Sequence, residues 1–291
     1  METLLLHAPA KVNWRLKVIG RRKDGYHLLC GLMQAISLTD TIYISDSASD
    51  NCYISKGPTI RQECNLAYKA WQLLKQELRL AYCLEIGIEK NIPLGGGLGG
   101  GSADAAAVLK GANDLFHLGL SLKELCGLGL RLGADVPFCL MGGLAKVEGI
   151  GERLASLPVL SQLPLLLVNP GLSISTAAVF RHYAQNAFAF ADAAKENTAC
   201  TQLALALNQG DIPAIKALME NDLAVNAVQL CPAIGTINQR FKAIGLKPLL
   251  CGSGSTIFTL LENMADLKKA KEALADLPWV EGAFTCNIND K

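Results

Sequence analysis

The residues with the most legible chemistry are Pro93-Leu94-Gly95-Gly96-Gly97-Leu98-Gly99-Gly100-Gly101-Ser102-Ala103-Asp104, where six glycines fall within seven residues. Without a Cβ the backbone takes φ > 0 readily and lets a ligand come close. An apolar strand pattern precedes the run and an Ala-rich helical pattern follows it. The first N–H groups of a helix lack intrahelical partners, and the macrodipole makes that end positive. Strand, glycines and helix start together form a phosphate cradle. A flexible linker or a tight packing turn is the competing account, but linkers are rarely pinned between an apolar strand and a helix.

Two common cradles can be weighed against the run. A P-loop needs Lys-Ser/Thr directly after its glycines, and no Lys follows here. The dinucleotide fingerprint Gly-x-Gly-x-x-Gly is met by Gly95, Gly97 and Gly100. So glycine-rich a run satisfies almost any glycine spacing, and more than ninety residues come before it. The acid expected about twenty positions on has a candidate in Glu124, inside a helical pattern rather than at a strand end. A dinucleotide-binding oxidoreductase is therefore the second reading.

Other polar residues gather in short groups. Lys11 and Asn13 share one face of an extended segment whose other face carries Val12, Trp14, Leu16 and Val18. In isolation Lys11 reads as a solvated strand residue, since Lys is rarely buried. Tyr26 and His27 follow the turn Lys23-Asp24-Gly25. Asp135 stands in Leu132-Gly133-Ala134-Asp135-Val136-Pro137-Phe138. There it can cap the short helix that Pro137 starts, its reading in isolation. Gly252-Ser253-Gly254-Ser255 joins two strand patterns.

Positioning these residues requires a sizeable scaffold. The chain has 291 residues, 51% of them apolar, and a formal net charge of +1. That charge gives no global basic field, so nucleic acid is not expected as a partner. No apolar run reaches the roughly 18 residues needed to cross a membrane, and the first residues show neither a basic stretch followed by an apolar one nor an Arg/Ser-rich transit pattern, so no targeting segment is expected. Ten scattered cysteines without a C-x-x-C predict reduced thiols in a cytoplasmic protein and no metal site.

Strand patterns cover residues 4–20, 28–38, 41–44 and 83–88. Helical patterns run from Asn65, a fair N-cap, to Leu80 and from Ser102 to Leu115. Ser121-Leu122-Lys123-Glu124 is a capping box, with Gly133 placed as the stop. The second half starts with a buried strand at 164–168. Three or four helices follow between Ser173 and Ile244, with Pro232 near the start of the last. Strands at 247–251 and 256–261, a helix at 263–277 and a strand at 279–288 complete it. That succession predicts an α+β sandwich of the split βαβ kind. The domain boundary falls near residue 155, giving domains 1–154 and 155–291.

Three motifs stand in order over nearly the whole chain: Pro9-Ala10-Lys11-Val12-Asn13, the glycine run ending Gly101-Ser102-Ala103-Asp104, and Gly252-Ser253-Gly254-Ser255. Together they resemble the signatures of the GHMP small-molecule kinases. Asp24-Gly25-Tyr26-His27 and Leu132 to Pro137 are similar to the branch acting on a cytidine-diphosphate-linked methylerythritol. Ala103 replaces a Ser often found there, and Cys251 a Ser or Thr.

The resemblance implies an N-terminal ATP-binding and catalytic domain like ribosomal protein S5 domain 2, and a C-terminal ferredoxin-like α/β sandwich that closes on substrate. It implies ATP as co-substrate, held by Pro93 to Ala103 with Ser102 as a further donor, and Mg²⁺ held through the phosphates. Asn65 and Lys90 would border the adenine. Asp135 would accept the proton of the attacking hydroxyl and Lys11 would be its electrostatic partner, with Asn13 on the same face. Tyr26, His27 and Phe180 would surround the cytosine. Phe180 has a competing reading as core, because Ala177, Ala178 and Val179 beside it are all apolar. Other GHMP kinases, acting on mevalonate or homoserine, are the alternative within the family, and a binder without catalysis is a third class.

Overall fold

A computed structural model of the chain describes residues 3–159, 162–186, 189–277 and, by backbone alone, 279–284. Along the chain come β1 (Thr3–Arg21), β2 (His27–Asp46), β3 (Asn51–Lys56), a 3-10 turn (Gln62–Cys64), α1 (Leu66–Leu78) and β4 (Leu84–Glu89). The glycine run then leads into α2 (Gly100–Leu115), α3 (Leu122–Leu132), α4 (Val136–Met141), β5 (Leu144–Gly149), β6 (Arg153–Leu157) and β7 (Pro164–Val168). A helical stretch follows with α5 (Thr176–Gln185), α6 (Ala193–Gln209), α7 (Ile212–Leu218), the short β8 (Glu220–Asn221), α8 (Ala224–Leu230) and α9 (Pro232–Ala243). Last are β9 (Leu249–Leu250), β10 (Ile257–Leu260), α10 (Met264–Ala273) and β11 (Trp279–Phe284).

Two compact units are built from interleaved segments. One comprises Met1–Ala10, Leu38–Ile92 and Gly99–Gly142, and the other Lys11–Ser37, Pro93–Leu98 and Gly143–Lys291. Because β1 and β2 are long enough to serve both, a single cut at 154/155 does not separate the units.

In the first unit the far half of β2 pairs antiparallel with β4, from Thr41↔Glu89 to Asp46↔Leu84, and β3 lies parallel to β4. α1 and α2 pack together. Asn65 caps α1 by accepting the Ala67 N–H at 2.9 Å. Ala67, Ala70, Trp71 and Leu74 form the buried face of α1 at i, i+3, i+4 and i+7. The capping box of α3 is present, with the Ser121 hydroxyl and the Glu124 carboxylate each accepting the other's backbone N–H.

In the second unit β1 pairs parallel with β8 at Arg15↔Glu220, β2 pairs with β5 from Leu29↔Gly149 to Gln34↔Leu144, and β5 pairs with β6. A separate sheet runs β11-β7-β10-β9. All three of its pairings are antiparallel. Numbered in chain order, these strands lie 4-1-3-2, the arrangement of a split βαβ unit. Leu166, Val168, Ile234, Ile237, Phe241, Ile257 and Leu274 form its core. Trp14 is fully buried nearby, its indole N–H on Gln34 Oε1 at 2.7 Å and its ring edge-on to Phe258.

Several elements differ from their sequence reading. β1 passes through Pro9 without breaking, and β2 is one strand where two were expected. Among the described residues five helices, not three or four, lie between Ser173 and Ile244, because Asp192, Asp211 and Pro232 each start a new one. The expected strand at 247–251 is two residues long, and 285–288 of the last strand lie outside the described residues.

Candidate active site

The glycine run crosses from one unit to the other between Leu98 and Gly99. Each half is held by different partners.

In the second unit the run is locked to the Gly252 motif. The Thr256 N–H donates to Gly96 O at 3.0 Å. Gly97 has φ +77°, and a Cβ there would stand 2.0 Å from Cys251 O. Only glycine combines that conformation with so close a backbone approach. Asn169 supports the contact by donating to Thr256 Oγ1 at 2.8 Å. Asn221 fixes the Gly252 motif from below, its amide donating to Leu250 O at 2.9 Å and Gly252 O at 2.8 Å.

Lys11 enters the same place. Its N–H donates to Leu98 O at 2.9 Å, and its ammonium to Asn13 Oδ1 at 2.9 Å. A Cβ on Gly252 would lie 3.1 Å from Lys11 Nζ. Lys11 is only 4% exposed, so the solvated-strand reading is overturned. Lys11 and Asn13 project together as period-two neighbours on β1.

In the first unit Gly99 caps α2 with φ 74°, and α2 begins at Gly100. Ser102 lies close to the turn before Asp135: its hydroxyl is 3.9 Å from the position of a Cβ on Gly133. Asp135 occupies the N-cap position of α4, yet its side chain makes no capping bond. The capping account of this residue therefore fails, although Pro137 does open the helix as expected.

Asn65 is buried as the α1 cap. Lys90, expected beside an adenine, has its ammonium enclosed. It donates to Asp40 and, at 2.7 Å, to Asp104. Asp40 also accepts the N–H groups of Asn91 at 2.6 Å and Ile92 at 2.9 Å. Burial pushes the Asp104 carboxyl up to about 7, Lys90 opposes that shift and Asp40 adds to it.

In the second unit Phe180, on α5, stacks on His27 with ring centroids 5.2 Å apart and 23° between planes. Tyr183 meets the same imidazole edge-on at 5.7 Å. Phe180 is half-buried against Leu16, Val18 and Val179, so it is neither free nor fully core. Burial, and then the Arg21 charge, push the His27 pKa below its ordinary value, which favours a neutral ring able both to donate and to accept. Tyr26 is 60% exposed beside this cluster in sequence, its N–H on Asp24 Oδ1 at 3.2 Å.

Asp40, Asn169 and Asn221 had no sequence signal, because their partners lie far along the chain. Asp104 stood inside the glycine motif, but nothing in its spacing pointed to Lys90.

The GHMP kinases N terminal domain matches residues 65–143, and GHMP kinases C terminal matches residues 203–278. A 4-diphosphocytidyl-2-C-methyl-D-erythritol kinase of Carboxydothermus hydrogenoformans is 39% identical over 92% of this chain and 91% of its own length. A crystal structure of 4-(cytidine 5'-diphospho)-2C-methyl-D-erythritol kinase superposes with a TM-score of 0.79 at 35% identity, covering 98% of this chain and 100% of that one. A homoserine kinase from Cytophaga hutchinsonii shares the fold, with a TM-score of 0.75 over 99% of this chain and 95% of its own, at 19% identity.

Proposed function

This chain belongs to the GHMP kinase family, and we propose that it uses ATP to phosphorylate the 2-hydroxyl of 4-diphosphocytidyl-2-C-methyl-D-erythritol, in the non-mevalonate route to isoprenoid precursors. The observation that carries the kinase reading is the meeting of three distant motifs: Lys11 on Leu98, and Gly97 on Cys251, beside Gly252. The acceptor follows from the likeness to relatives of that name over nearly the full length.

Phosphoryl transfer passes through a loose transition state, so positioning and charge stabilisation do most of the work. The amides of the glycine run and the start of α2, with the Ser102 hydroxyl, hold the ATP phosphates. Asp135 takes the proton of the 2-hydroxyl as its oxygen attacks the γ-phosphorus. The bond to the β,γ-bridging oxygen breaks and ADP leaves. Lys11, held by Asn13, is the electrostatic partner of Asp135 and of the charge on the moving group. Among the described residues no three His, Cys, Asp or Glu side chains gather into a metal cluster. Mg²⁺ would arrive on the ATP phosphates, where it would neutralise charge.

Tyr26, His27 and Phe180 receive the cytosine by stacking and by the polar edge of the imidazole. Asn65 borders the adenine.

The test is product identity. Incubation with ATP, Mg²⁺ and the cytidine-bearing acceptor should give ADP and a new phosphomonoester resonance in the ³¹P spectrum, coupled through the 2-carbon. Release of inorganic phosphate without that resonance would refute the transfer.

A further inference from the structure

The enclosed Asp40–Lys90–Asp104 cluster has no part in the chemistry above, yet it is built at a cost. The three side chains are 0%, 1% and 2% exposed. Taking charges out of water is expensive unless each is paired and bonded. Asp40 meets that condition through Lys90 and two backbone N–H groups. Asp104 meets it only by half, because its Oδ1 is buried with no hydrogen-bond partner.

The cluster joins three elements at one end of the glycine run. Asp40 is on β2, Lys90 follows β4, and Asp104 is in the second turn of α2. A Cβ on Gly100 would lie 2.9 Å from Ile92 Cγ2 and 3.4 Å from Lys90 Nζ. The first residue of α2 therefore rests directly over the ammonium. Pulling Asp104 toward Lys90 pulls this helix start onto the end of β4. The direction of its free N–H groups is fixed by that seat.

We infer that Lys90 and Asp104 are positioning residues for the ATP phosphates, acting through the start of α2 and not through contact with the adenine. This rests on the reading of the glycine run as the ATP phosphate cradle. An N–H donor must point at its phosphate oxygen to be useful, and hydrogen bonds weaken steeply with misalignment. The bond between Lys90 and Asp104 is what keeps that aim. An amide in place of the Asp104 carboxylate can still accept from Lys90, so Asp104→Asn keeps the seat, whereas Asp104→Ala and Lys90→Met release it.

The experiment divides ATP into its parts. Adenosine and inorganic tripolyphosphate are each used as inhibitors competing with ATP, on wild type, Lys90→Met, Asp104→Ala and Asp104→Asn. We expect Lys90→Met and Asp104→Ala to weaken tripolyphosphate about 10-fold and to raise KM for ATP by a similar factor. Adenosine inhibition and KM for the acceptor should change less than 2-fold. Asp104→Asn should stay within 3-fold of wild type throughout. The Lys90→Met/Asp104→Ala double variant should be no worse than Lys90→Met, because the two residues act as one device. Weakened adenosine with unchanged tripolyphosphate would put Lys90 in the base pocket and overturn the inference. Unchanged tripolyphosphate inhibition in a folded Asp104→Ala protein would overturn it too. A wild type that tripolyphosphate does not inhibit would instead overturn the cradle reading beneath it.

Discussion

Gly97 lies so close to Cys251 that a Cβ at position 97 would stand 2.0 Å from the Cys251 carbonyl oxygen. Two motifs more than 150 residues apart thus share one backbone contact. Gly97 also has φ +77°, where a side chain costs about 1–2 kcal/mol before any clash is counted. Gly97→Ala should therefore destabilise by more than that amount and raise the ATP dissociation constant at least 10-fold. Gly101→Ala is the control for stability: a Cβ there meets only the flexible end of Leu66, at 3.3 Å. Urea melts and calorimetric titration with an ATP analogue measure both. Equal tolerance at the two positions would refute the tight contact at Gly97.

The Asp135 carboxylate sits at a helix start without capping it. Asp135→Asn should lower kcat by about 10²–10⁴, the usual contribution of a positioned acid–base group. ATP affinity should stay within a few-fold, and Tm should hold. Lys11→Ala should act at the same step, with the double variant losing less than the product of the single losses. Near wild-type turnover in Asp135→Asn would remove Asp135 from the chemistry.

Stacking on His27 gives Phe180 two roles that can be separated. Phe180→Ala should weaken acceptor binding by about 1–3 kcal/mol, or roughly 5- to 150-fold, by analogy with base–aromatic stacking. KM for ATP should be unchanged. Because Phe180 is only half-buried, the stability loss should fall short of the roughly 3–5 kcal/mol of a fully buried Phe→Ala change. Normal acceptor binding with a lowered Tm would make Phe180 a packing residue alone.

Stability should depend on pH through Asp104. In the unfolded chain its carboxyl ionises near 3.8, and in the fold burial raises this to about 7. Between those values the folded state binds more protons than the unfolded state, so this group's contribution falls as pH rises. An amide does not titrate. The stability of Asp104→Asn relative to wild type should thus climb from about pH 4 to pH 7 and level off above it. Urea denaturation at several pH values checks this, and a constant difference would mean that Asp104 stays ionised throughout.

Local signals in the sequence carried over well where chemistry was local. The Ser121–Glu124 box, the Asn65 cap and the Gly133 stop each depend on residues within four positions, and each is present. β3 and β6 give no strand signal in the sequence because they are largely exposed and show no clean alternation. The site was legible as types and motifs: Lys11, Asn13 and the glycines were named without their partners. Burial of Lys11, the Asn221 clamp and the Asp40–Lys90–Asp104 cluster depend on chain segments brought together by folding. No spacing rule reaches across the 50 positions between Asp40 and Lys90.

A coupled ADP-release assay over four acceptors tests the identity of the acceptor most directly. The enzyme would be supplied in turn with 4-diphosphocytidyl-2-C-methyl-D-erythritol, mevalonate, homoserine and galactose, at fixed ATP and Mg²⁺. The cytidine group is remote from the reacting hydroxyl, so its binding energy can be spent on orientation. We expect kcat/KM for the cytidine-bearing acceptor to exceed the others by at least 10³, and to fall by a similar factor when the cytidine is removed. Comparable turnover of mevalonate or homoserine, or indifference to loss of the cytidine, would contradict the assignment while leaving the kinase fold intact.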